Sequence, residues 1–211
     1  MIPLIFYKKK HLLITIVLLL FCLFLTATAT TSKKKIVLAG SSSIFYWSNA
    51  KSDLSPHKVI NKGIRASTAD SWNKAYYKQI INQKPDIVIL YVGGNDLSNP
   101  SISVETVAKR IQKLIMKIHN KLPKAKIYYV SINPSILNWK QWNRREGCNK
   151  LMRKFCIDTK RVIYINTAKY CLKNGVPNTS LYRSDKLHLN SKGYKKIWKN
   201  IVAKKIKNDL K

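Results

Sequence analysis

Two hydrophobic rhythms alternate along this chain. Short apolar runs occur at Ile36–Ala39, Lys58–Asn61, Asp86–Tyr91, Lys126–Ser131 and Val162–Ile165. They are continuous rather than alternating with polar residues, which suits strands covered on both faces. Between them lie stretches with helical spacing. Ser103–Leu122 places Val107, Ile111, Leu114, Ile115 and Ile118 on one face and stops before Pro123. Ser191–Leu210 does the same with Tyr194, Ile197, Trp198, Ile201, Val202 and Ile206. Ser67–Asn82 and Trp139–Ile157 complete the predicted helices. Strands that alternate with helices pair in parallel through right-handed crossovers. The expected fold class is therefore α/β, a three-layer α/β/α sandwich around a central parallel five-stranded sheet. A ligand site in such a sheet lies at the carboxyl ends of its strands.

The N-terminus breaks this rhythm. Lys8, Lys9 and Lys10 precede an uncharged run from Leu12 to Leu25, followed by the small-residue stretch Thr26–Thr30. A basic start, an apolar middle and a small-residue exit make a secretory signal. Leu12 to Ala29 is also just long enough to serve as an uncleaved anchor. Either reading divides the chain into a leader, residues 1–31, and a domain, residues 32–211, that is exported: secreted, periplasmic or held on the outer face of the membrane. Cys22 follows the bulky Phe21, which does not suit a lipoprotein cleavage site.

Charge adds a second unusual feature. Lys and Arg number 40 against 9 Asp and Glu, and beyond the leader lysines 37 basic residues still face those 9 acids. An excess of this size attracts polyanions such as anionic membranes or acidic wall polymers. The lysines are scattered over every predicted helix, with no stripe of interleaved aromatics, so a dedicated nucleic-acid groove is not expected. A plain solvated basic surface accounts for the same pattern. Of the cysteines beyond the leader, Cys148 and Cys156 stand eight apart on one predicted helix, too far for a disulfide. With Cys171 they read as buried thiols, and no Cys/His cluster predicts a metal site.

Four polar segments follow the predicted strands. Gly40-Ser41-Ser42-Ser43-Ile44 sits where strand one meets a helix. A serine there can present its hydroxyl near a helix N-terminus, although a Ser-rich cap looks the same. Asn61-Lys62-Gly63-Ile64-Arg65-Ala66-Ser67 follows strand two. Gly93-Gly94-Asn95-Asp96 follows strand three; its glycines allow close backbone approach and Asn95 offers an uncharged donor, though the same residues make ordinary turns. Asp185-Lys186-Leu187-His188 precedes the last helix, and an Asp three residues before a His can hold the ring by Nδ1 and leave Nε2 free.

In this order the four segments resemble the blocks of the SGNH (GDSL-like) hydrolase family, over about Lys35 to Lys199. They are most similar to a subgroup whose first block reads G-S-S-S-I, and Asn133-Pro134-Ser135 and Trp139 through Asn149 are also similar to it. The resemblance implies a flavodoxin-like sheet, with Ser42 as nucleophile, His188 as general base and Asp185 as its orienter. It also implies an oxyanion hole built from the Ser42 N–H, the Asn95 amide and the N–H of Ala66. Two positions depart from the family. Ser41 replaces the usual Asp, which is outside the triad. Ala66 stands where a glycine is usual; a backbone donor survives there with a negative φ, but the methyl narrows the pocket. The implied activity is that of a monomeric, cofactor-free esterase or acylhydrolase acting on a small or polymer-borne ester, an acetylated carbohydrate or a lysophospholipid-like lipid. The competing expectation is an inactive relative that binds acidic polymers. Such proteins lose Ser, Asn or His, and here Ser42, Asn95, Asp185 and His188 are all present.

Overall fold

The apolar runs form a sheet because each is short, rich in Val, Ile and Tyr, and bounded by turn residues. The computed structural model describes residues 32–211; the predicted leader lies outside the described residues. Its strands are β1 (Lys35–Gly40), β2 (Lys58–Gly63), β3 (Ile87–Tyr91), β4 (Lys126–Val130) and β5 (Val162–Ile165). They pair in parallel in the order β2-β1-β3-β4-β5, with Ile36 opposite Val59 on one side and Ile87 on the other. This is the predicted α/β sandwich.

The helices are α1 (Ser42–Phe45), α2 (Ala50–Asp53), α3 (Ala69–Ser71), α4 (Lys78–Ile81), α5 (Val104–Lys121), α6 (Trp142–Asp158), α7 (Ser191–Tyr194) and α8 (Lys204–Asn208). π-Helical turns join α3 towards α4 (Trp72–Tyr76) and α7 to α8 (Lys195–Ala203), so each predicted long helix at these places is a composite. A minimal hairpin, β6 (Leu172–Lys173) with β7 (Val176–Pro177), and the two short helices α1 and α2 carry too few residues for any periodicity to announce them.

Successive strand residues point to opposite faces, and the core divides accordingly. Ile36, Leu38, Ile87, Ile89 and Tyr128 pack against Trp47 and against Ile197, Trp198, Val202 and Ile206 of the C-terminal helical stretch. Val37, Val88, Leu90, Ile127 and Tyr129 pack against Ile111, Leu114, Ile115 and Ile118 of α5 and Cys148, Met152 and Cys156 of α6. The three layers follow from that division. Cys148, Cys156 and Cys171 are buried free thiols, and burial pushes each up to about 12, which leaves them unreactive. No helix among the described residues is long and apolar enough to cross a membrane.

Candidate active site

The site begins at Gly40, the last residue of β1. Its φ of 141° lies where side chains rarely go, and a Cβ there would sit 2.1 Å from the Tyr91 carbonyl oxygen. Only glycine lets the chain turn so tightly against β3. Ser41 then donates its N–H to that same carbonyl at 3.0 Å and is buried, while Ser42 opens α1 half-exposed. In the first turn of a helix the Ser42 N–H has no intrahelical acceptor. Gly63, at the end of β2, serves the same turn from the other side: a Cβ there would meet the Phe45 nitrogen at 2.3 Å. Asn61 locks the approach by donating to the Ile44 carbonyl at 2.8 Å. The second block therefore seats the serine turn.

Across the cleft, Lys186 adopts φ 58° and folds the loop so that Asp185 reaches back to His188. Asp185 Oδ1 accepts the N–H groups of Leu187 and His188 at 2.9 and 2.8 Å, and Oδ2 lies 2.8 Å from His188 Nδ1. Burial alone would raise the Asp185 pKa, but these hydrogen bonds outweigh it and hold the carboxyl at about 2. The loop is tied down by Arg183 N–H to the His188 carbonyl at 2.8 Å and by Leu137 N–H to the Lys186 carbonyl at 3.0 Å. Tyr46 presents an edge to the imidazole, with ring centroids 5.2 Å apart, and Arg183 covers Tyr46 in turn at 4.6 Å. So held, His188 Nε2 stands 3.0 Å from Ser42 Oγ, across 146 residues of sequence. A hydroxyl bonded to an imidazole whose other nitrogen faces a carboxylate loses its proton readily as it attacks an electrophile.

The model of the GDSL-like lipase/acylhydrolase family matches residues 39–196, which contain all of these segments. The chain belongs to that family. Among curated proteins none is matched by its sequence. The fold resembles a lipase/acylhydrolase from Enterococcus faecalis (21% identity, TM-score 0.69, covering 84% of this chain and 97% of that one). It also resembles a GDSL-like lipase from Bacteroides thetaiotaomicron (16%, 0.70, 87% and 92%) and a catalytic mutant of an acetylxylan esterase from Geobacillus stearothermophilus (15%, 0.65, 84% and 94%). Membership in this family supports hydrolase chemistry on esters in general.

The remaining family residues are brought only partly together. Asn95 lines the same cleft as Ser42 and His188, and spends one amide proton on the Ser67 carbonyl at 2.9 Å, leaving the second for a ligand. Ala66 is exposed and is not part of the cleft lining. Its φ is 57°, so the negative φ under which the sequence kept a comfortable donor here is not the one adopted. The backbone keeps a glycine-like shape, and the alanine carries its methyl there at a cost of about 1–2 kcal/mol.

Other residues at the site had no role assigned by their motifs. Ser67, expected only as part of a helix start, leaves capping to Thr68, whose hydroxyl accepts the Ser71 N–H at 3.1 Å. Ser67 turns inward instead, donates to the Gly40 carbonyl at 3.2 Å and accepts the Trp72 indole N–H at 2.9 Å, joining the first three blocks. Asp96 is buried and accepts the Ala69 N–H at 2.9 Å, fixing the start of α3 against the asparagine block. Arg145 of α6 is 3% exposed, lines the cleft and donates to the Gly94 carbonyl at 2.8 Å. Only its position next to the aromatic-rich start of α6 was visible, and a lone arginine in so basic a chain carries no signal.

Proposed function

We propose that this protein is an exported serine esterase that removes short acyl groups from a small or polymer-borne alcohol through an acyl-enzyme on Ser42. The observation that carries this reading is the line of contacts from Ser42 Oγ to His188 Nε2 at 3.0 Å and from His188 Nδ1 to Asp185 Oδ2 at 2.8 Å. Asp185, ionised down to about pH 2, fixes the tautomer with the proton on Nδ1, so Nε2 accepts the Ser42 proton as Oγ attacks the ester carbonyl. The oxyanion that forms takes hydrogen bonds from the Ser42 N–H and the second amide proton of Asn95, each worth about 2–4 kcal/mol in the transition state. Ala66, exposed and outside the cleft lining, is left out of the set. His188 then hands its proton to the leaving alcohol, and water repeats the sequence on the acyl-enzyme.

The cleft supports a short acyl group. Its volume is about 90 Å³, a small space that favours a short chain. One fold relative is an acetylxylan esterase. The basic-apolar-small leader supports export.

The test is hydrolysis of p-nitrophenyl esters of increasing chain length by the full-length chain. Turnover is expected to fall as the chain lengthens beyond a few carbons. Ser42→Ala and His188→Ala should each lower kcat by on the order of 10⁴ or more with the fold intact, and Asp185→Ala by less. Wild-type turnover in Ser42→Ala would overturn the nucleophile assignment.

A further inference from the structure

The chemistry above leaves one strongly polar group of the cleft unused. Among the described residues, Arg145 is the only arginine or lysine in the lining, and no carboxylate lines it. The arginine enters from the first turn of α6 and is 3% exposed. Its Nη1 donates to the Gly94 carbonyl at 2.8 Å and its Nη2 to Ser98 Oγ at 3.3 Å; Nε has no partner. Both acceptors are neutral, and among the described residues Arg145 forms no ion pair. A buried cation normally faces an anion, because removing a charge from water is costly unless an opposite charge and hydrogen bonds replace the lost hydration. The neighbouring Arg144 shows the contrast. It lies outside the lining and spends its guanidinium on the carbonyls of Asn99, Pro100 and Ile102, tying the loop before α5 to α6.

Arg145 thus sits in a cavity whose other polar walls are neutral groups such as Ser98, Asn133, Ser135 and Asn138. The planar guanidinium fork matches the two oxygens of a carboxylate or phosphate and is far less suited to a neutral sugar or alkyl chain. We propose that the alcohol portion of the substrate carries an anionic group, a carboxylate or a phosphate, and that Arg145 is the residue that selects it. This rests on the esterase reading of the same cleft. The acyl portion is assigned no charge. The competing role for Arg145 is purely positional: holding the Gly94 carbonyl so that Asn95 points correctly. A positioning residue would affect every ester alike, whereas a selecting residue affects only anionic ones.

Three aryl acetates with the same acyl group, whose leaving phenols differ only in the end of the para side chain, separate these roles in the full-length chain. They are 3-(4-acetoxyphenyl)propionate, its primary amide, and the analogue ending in a phosphonate. Rates are taken at 1 M salt, where screening over about 3 Å removes attraction by the basic surface but not a contact inside the cleft. The expected result is a kcat/KM at least tenfold higher for the carboxylate or the phosphonate than for the amide, expressed mainly in KM; which of the two leads identifies the anion. Arg145→Gln should abolish that preference and Arg145→Lys should restore part of it, with circular dichroism confirming that each variant is folded. Should Arg145→Gln fail to fold, the wild-type ratio and Arg145→Lys decide. Equal kcat/KM for all three acetates, or a preference that survives in Arg145→Gln, overturns the proposal. Absence of turnover on every acetate above the Ser42→Ala background is a different outcome, and it overturns the esterase reading instead.

Discussion

At the scale of single residues, Ala66, one of the two positions that depart from the family pattern, is the most informative. Ala66 has φ 57°, a conformation that costs an L-residue about 1–2 kcal/mol and costs glycine nothing. Ala66→Gly recovers that strain and gives back about 0.4–1 kcal/mol through the freer unfolded chain. The expected net effect is a stabilisation of up to about 1.6 kcal/mol in a denaturant titration, with esterase turnover preserved because Ala66 lies outside the cleft lining. Ala66→Val should lose stability, since a branched Cβ in this region is a true outlier. A fall in stability for Ala66→Gly would show that the methyl packs usefully and that the strain account is wrong. Asp185 is equally local. Its carboxyl is held below the ordinary range, so the sign runs one way: the ties to Leu187 and His188 are complete above the unfolded carboxylate range and are lost only as pH falls through about 2. Acid inactivation at milder pH is therefore not the work of Asp185. The residues that make these contacts were legible in the sequence where chemistry and spacing coincide, as in Asp185 and His188. Ser67 and Arg145 were not, because their roles depend on a side chain turning into a cavity that only the assembled fold creates.

At the scale of elements, the long regular pieces were legible and the joints were not. The five apolar runs became β1 to β5 within a residue or two, and the amphipathic face of α5 is buried at each of its five marked positions. Burial on both faces of the sheet leaves such runs no alternative. The π-turns at Trp72–Tyr76 and Lys195–Ala203 escaped notice because an apolar stripe tolerates one extra residue without losing its face. The joint that matters most for the site is α6 to β4. Asn149 Oδ1 accepts the Ile132 N–H at 2.8 Å, and its Nδ2 donates to the Ile132 carbonyl at 2.9 Å. One buried side chain thus satisfies both backbone groups of the residue that leads into the Asn133–Ser135 wall of the cleft. Asn149→Ala strands two buried backbone groups at about 1–3 kcal/mol each, so a loss of about 3 kcal/mol is expected in equilibrium unfolding. Asn149→Asp should lose at least as much, because it buries a carboxylate and sets one of its oxygens against the Ile132 carbonyl oxygen. A loss under 1 kcal/mol for Asn149→Ala would mean that water replaces the amide and that the wall does not depend on it.

At the scale of the whole molecule, the sequence separates what the protein does from where it sits. Thirty-seven basic residues face nine acidic ones over residues 32–211, and the ion pairs among the described residues are few; Lys74 with Asp70 and Lys205 with Asp209 are pairs one helical turn apart. Pairs of this kind contribute little to stability, so the excess is not there to hold the fold. We propose that it gives the molecule a field that attracts polyanions such as anionic membranes or acidic wall polymers. The contacts proposed to carry hydrolysis are of another kind, since Ser42, His188 and Asp185 meet at 2.8–3.0 Å. Surface attraction is screened over about 8 Å at 0.15 M salt and over about 3 Å at 1 M, whereas contacts at bonding distance are nearly insensitive. Binding to anionic vesicles or to an acidic polymer is therefore expected at low salt and should fade between those two ionic strengths. Turnover of a neutral acetate should change by less than about twofold over the same range. Co-sedimentation and initial rates measured in one salt series compare the two directly. If hydrolysis of the neutral ester fell in step with release from the polymer, the basic surface would belong to the catalytic site, and address and chemistry would have to be explained together.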